Sequence, residues 1–61
     1  MTAREIVALI ERAGWKKHRQ KGSHAVFKHE TLRGRIVVPM HTGDLPKGTE
    51  RSILKKAGLR E

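Results

Sequence analysis

Gly22-Ser23-His24-Ala25-Val26-Phe27-Lys28-His29 is the stretch whose reading decides the fold. Gly22-Ser23 has the composition of a turn, and from His24 onward the residues alternate as in a half-buried strand. Ala25, Phe27 and His29 fall on one side of that strand; His24, Val26 and Lys28 fall on the other. Phe27 is the single Phe of a chain that has one Trp and no Tyr. If its ring enters the core, Ala25 goes with it. His24 must then face solvent, because successive strand side chains alternate.

Working outward, Trp15 to Gln20 is polar, but it lies between a helix stop at Gly14 and the Gly22-Ser23 turn. Its place makes it a strand. Thr31-Leu32-Arg33-Gly34 is a second turn, and Arg35 to Pro39 is a third strand rich in β-branched residues, ended by Pro39. Three strands joined by short loops imply an antiparallel meander. Upstream, Thr2-Ala3-Arg4-Glu5 has capping-box spacing, and Ile6, Leu9, Ile10 and Ala13 form one apolar stripe, so a helix is expected over residues 3–13. Downstream, His41 to Gly48 is a loop with two glycines and a proline. A second helix follows over 47–56, with Leu45, Ile53, Leu54 and Ala57 as its apolar side and Gly58 as its stop. The predicted fold class is α+β, in the order α-β-β-β-α, with both helices on one face of a three-stranded antiparallel sheet.

With 61 residues, the chain is expected to be one domain, 1–61. Such a domain buries only ~60% of the surface its unfolded chain exposes, so a partner or a tight core must stabilise it. It has no cysteine, which excludes disulfides and thiolate metal sites and fits a reducing cytoplasm. No apolar run approaches the ~20 residues of a membrane span, and no signal peptide is visible at the start. A cytoplasmic protein without membrane contact is expected. Charge is the strongest compositional feature: 14 Lys and Arg face 6 Asp and Glu, a net charge of +8. That self-repulsion points to a polyanionic partner, with nucleic acid first, an acidic protein second and an anionic membrane surface third.

His24 follows a turn whose glycine lets backbone approach a ligand, and whose N–H groups and Ser23 hydroxyl can hold a phosphate oxygen. Imidazole titrates near neutrality and can take a proton from an RNA 2′-hydroxyl. On spacing alone, a solvated histidine beside a turn is the commoner reading. Lys16, Lys17, Arg19, Lys21 and Lys28 cluster around Gly22-Ser23-His24, which favours phosphate clamps over a merely solvated strand face. Trp15 can stack on a base or fill the core; its place after a helix stop favours the core. Lys47, Arg51 and Lys55 share a helix face beside Lys56, which suits phosphate contact or solubility alike. His18, His24, His29 and His41 have no metal-ligand spacing, and no carboxylate pair lies near them beyond Glu30 and Asp44, so neither metal nor cofactor is expected.

Gly14-Trp15, Arg19-Gln20-Lys21-Gly22-Ser23-His24, Val38-Pro39-x-His41, Gly48-Thr49 and Ile53-Leu54-Lys55-x-Ala57-Gly58-Leu59 together resemble the HicA (YcfA-type) toxins over nearly the whole chain. The resemblance implies a double-stranded-RNA-binding-domain-like fold. It implies an mRNA interferase that stops translation, with the histidine of Gly-Ser-His, here His24, as the catalytic residue. It also implies a HicB-type antitoxin that covers the active face. The expected activity is metal-independent endoribonuclease cleavage of mRNA, with His24 as general base and Lys16, Lys17, Arg19, Lys21, Gly22, Ser23 and Lys28 as the RNA-binding set. One histidine cannot be base and acid at once; His41 or a lysine is the candidate second donor. The rival readings are a non-catalytic RNA-binding module, which needs positive charge but no imidazole at position 24, and an interaction domain for an acidic protein.

Overall fold

Thr2 opens the first helix in the way its spacing to Glu5 requires. The computed structural model describes residues 1–40 and 43–59. In α1 (Ala3–Arg12), the Glu5 backbone N–H donates to Thr2 Oγ1 at 3.2 Å, and the Thr2 N–H donates to Glu5 Oε1 at 2.8 Å. These two bonds satisfy N–H groups that the first helical turn leaves without partners. The Glu5 carboxyl is held below its ordinary range, chiefly by the Thr2 backbone N–H that donates to it and then by the nearby Thr2 hydroxyl. Ala13 caps the helix, one residue short of the expected stretch.

Three strands follow, β1 (Trp15–Lys21), β2 (His24–His29) and β3 (Arg35–Pro39), and then α2 (Lys47–Lys56). The sheet order is β1-β2-β3, antiparallel throughout. Ala25, Phe27, Ile36 and Val38 are register partners or next-but-one neighbours in the sheet, so all four share a face. They form the core with Ile6 and Ile10 of α1, Ile53 and Leu54 of α2, and Leu45, Ala57 and Trp15. Both helices therefore cover one side. The Cα extents are 30 × 28 × 16 Å, and the short axis has room for one helix layer on one sheet and nothing beyond it.

Trp15 is 1% exposed, which settles its role as core. Its indole N–H has no acceptor among the described residues, so the ring stabilises the core through its apolar area and not through a hydrogen bond. His29 sits across from it in the register and packs edge-on, ring centroids 5.3 Å apart. Both His29 nitrogens are engaged. Nδ1 accepts from the N–H groups of Thr31 (3.1 Å) and Leu32 (3.2 Å), which leaves the proton on Nε2 to donate to the Ala13 carbonyl at 3.0 Å. One side chain thus ties the end of α1 to the β2–β3 turn. Gly14 is the residue that admits it. Its φ is +101°, and a Cβ there would stand 2.7 Å from His29 Nε2.

Candidate nucleic-acid interface

The helices leave the other sheet face bare, and the register says which side chains occupy it. Residues directly opposite in an antiparallel pair point the same way. Lys16 lies opposite Lys28, Arg19 opposite Val26 and Lys21 opposite His24. Across β2, His24 lies opposite Pro39, Val26 opposite Val37 and Lys28 opposite Arg35. The open face is three rows: Lys21–His24–Pro39 at the Gly22-Ser23 end, Arg19–Val26–Val37 in the middle, and Lys16–Lys28–Arg35 at the far end.

His24 is exposed and heads β2, and its ring makes no hydrogen bond among the described residues. The turn that presents it is fastened on both sides. Gly22 has φ +59°, as a glycine-first two-residue hairpin turn requires. Gln20 Nε2 donates to the Gly22 carbonyl at 3.1 Å, while Lys17 Nζ donates to Gln20 Oε1 at 2.9 Å. The Met40 N–H donates to the Ser23 carbonyl and joins the turn to the end of β3.

Four of the expected cations, Lys16, Arg19, Lys21 and Lys28, lie on the same face as His24, with Gly22 and Ser23 in the adjoining turn. Lys17 stands apart from them. The register shifts between Lys17 and Arg19, so His18 is an extra residue that bulges out. Lys17 is opposite Phe27 and points to the helix side, where its bond to Gln20 holds it. Arg35 is a cation of the open face that motif reading passes over, although its alternation with Ile36 and Val38 is the available signal. Gln20 is a positioning residue with no local signature beyond its distance from Gly22. Lys47, Arg51, Lys55 and Lys56 are exposed on α2, in the helix layer. His41 lies outside the described residues.

The strands contain six Lys and Arg and no acid. Among the described residues, the ion pairs are those of the Met1 amino group with Glu50 and Asp44, so the open-face cations have no carboxylate at contact distance. Their fields add over one flat surface. Val26 is only 9% exposed although it faces away from the helices, so neighbours on the open face cover it, with Arg19 and Val37 as its register partners. No group of three His, Asp or Glu side chains is gathered as a metal site among the described residues. No helix is long and apolar enough to cross a membrane.

Comparison with known proteins agrees with this fold. The family model for the HicA toxin of bacterial toxin–antitoxin systems matches residues 3–59. A solved structure described as a toxin–antitoxin complex from Streptococcus pneumoniae contains a chain that is 43% identical. The match covers 97% of this chain and 98% of that one, with a TM-score of 0.81. No curated protein matches the sequence. The chain, a capped helix, a three-stranded meander with one bare basic face and a closing helix, belongs to the HicA family of toxins.

Proposed function

We propose that the chain is a metal-independent endoribonuclease that cleaves mRNA on the open sheet face and so stops translation. The observation that carries this reading is His24: an exposed imidazole at a braced Gly-Ser turn, on a face whose charged groups are all cations. His24 takes the proton of a ribose 2′-hydroxyl. The O2′–P bond forms, the P–O5′ bond breaks, and a 2′,3′-cyclic phosphate and a 5′-hydroxyl result once the leaving oxygen is protonated. Lys21, the register partner of His24, is the described cation nearest to this chemistry; it stabilises charge on the phosphorane and is the first candidate for the second proton donor. Lys16, Arg19 and Lys28 bind RNA phosphates, and the Gly22 and Ser23 backbone approaches the scissile one.

A HicB-type antitoxin, acidic on its contacting surface, neutralises the toxin by covering the same face. Charge complementarity steers it there, and RNA and antitoxin then compete for Lys21 and Lys28. The test is cleavage of an end-labelled RNA in EDTA by wild type and by His24→Ala. The wild type should yield cyclic-phosphate and 5′-hydroxyl ends, and the variant should lose ~10²–10⁴-fold in rate with its fold intact. Full cleavage by folded His24→Ala, or loss of wild-type cleavage in chelator that one divalent ion restores, overturns the mechanism.

A further inference from the structure

The open face is not evenly basic. Three cations, Lys16, Lys28 and Arg35, fill the far row, while each of the other two rows holds one, Lys21 or Arg19, and the middle row also presents Val37, 44% exposed. Lys28 is four residues along β2 from His24, about 13 Å at the ~3.3 Å rise of a strand. At that far end the face adjoins a shallow depression of about 240 Å³, lined by Lys16, Lys17, His18, Lys28, His29 and Glu30. His24 is at the extreme opposite end, next to the turn, so among the described residues the basic face extends from it along the strands in one direction only.

We infer that Lys16, Lys28 and Arg35 form a second phosphate-binding site for single-stranded RNA, several nucleotides to one side of the bond placed at His24. This rests on the ribonuclease reading and adds the form and direction of the substrate to it. Lys21 beside His24 and the three cations of the far row suit two phosphates of one strand. Between them, the exposed side chain of Val37 suits the face of an unpaired base, which needs no hydrogen-bond partner to lie on an apolar group. A duplex offers a flat surface its phosphates and sugars while its bases stay stacked inside, so Val37 would have nothing to bind. The base over Val37 is read by its π-face rather than its edge, so nucleotide identity there has little influence.

The experiment uses the full chain and RNA oligonucleotides lengthened one nucleotide at a time on either side of the cleavage point. KM should fall in one step, ~10-fold, when the strand grows long enough on one side, and hardly change with growth on the other. A single neutral methylphosphonate linkage, walked along the longer oligonucleotide, should raise KM at that distal position. In Lys28→Ala/Arg35→Ala, the step and the distal methylphosphonate penalty should both vanish, while Arg4→Ala, in the helix layer, keeps both. Glu30→Gln should lower KM. Thermal melts establish that each variant is folded. If wild type cleaves RNA but its length dependence is symmetric, or persists in the double variant, the second phosphate site is wrong and the ribonuclease reading stands. Preference for duplex over single strand overturns the inference equally. If wild type cleaves no RNA, both fall.

Discussion

β2 begins and ends with a histidine, and the two ends of that strand have opposite fates. His24 and His29 are five residues apart, an odd number, so they face opposite sides of the sheet. His29 turns to the helices, lies against Trp15 and uses both ring nitrogens to join three segments of backbone. His24 turns to solvent, between Lys21 and Pro39, with no hydrogen bond among the described residues. The same side chain is a structural bolt in one place and a candidate base in the other. What separates them is strand parity and the company each keeps. A ring whose donor and acceptor are already engaged has nothing to offer a substrate, whereas an exposed ring among cations does.

The largest effect that could break this contrast comes from substituting both histidines in parallel. His24→Ala should abolish cleavage, at ~10²–10⁴-fold, with stability within about 0.5 kcal/mol of wild type. His29→Ala should do the reverse. It removes the part-buried bond to Ala13 and the edge contact with Trp15, while the exposed Thr31 and Leu32 N–H groups pass to water, so a loss of about 1–3 kcal/mol is expected, with cleavage by the folded fraction retained. Thermal melts and single-turnover cleavage on the same preparations decide it. A His29 variant that is stable but inactive would merge the two roles.

The two turn glycines sharpen the comparison at the next scale. Gly14→Ala places a Cβ against the His29 ring at φ +101° and should cost ~2–3 kcal/mol. Gly22→Ala meets open space at φ +59° and should cost only about 1 kcal/mol, while its displacement of the turn beside His24 slows cleavage. Equal losses of stability, read from denaturant midpoints, would show that His29 does not set the Gly14 requirement.

The smallest effect belongs to Glu5, remote from both histidines in sequence. Its carboxyl is held below its unfolded value by Thr2, so the stabilisation is fully present above the unfolded pKa and is lost as pH falls through the folded pKa. Wild type should be the more stable at neutral pH, and wild type and Glu5→Gln should converge under acid. A difference between them that stays constant from neutral pH into acid would assign the effect to helix propensity rather than to the capping box.

Much of the site is legible in the order of residues along β2. Phe27 demands burial, and parity then sends His24, Val26 and Lys28 outward. Val26 shows the limit of that parity, for it faces outward and is nonetheless buried by its neighbours on the open face. Lys17 shows another. Strict alternation from the buried Trp15 puts Lys17 and Arg19 on the same side, yet the bulge at His18 separates them. A strand as polar as β1 has no apolar rhythm to reveal one extra residue.

By itself the sequence determined the elements, their order, the basic character of the chain and the outward direction of His24. Each of these follows from spacings of a few residues, from glycine and proline, or from summed charge, and needs no knowledge of distant neighbours. Only the tertiary structure decided that Arg35 completes a row with Lys28 and Lys16, that Lys17 leaves that face, that Gln20 braces the turn, and that Gly14 exists to admit His29. Those facts depend on register and on contacts between residues far apart in the chain. Register is settled by the packing of all three strands on both helices at once, which no local stretch contains.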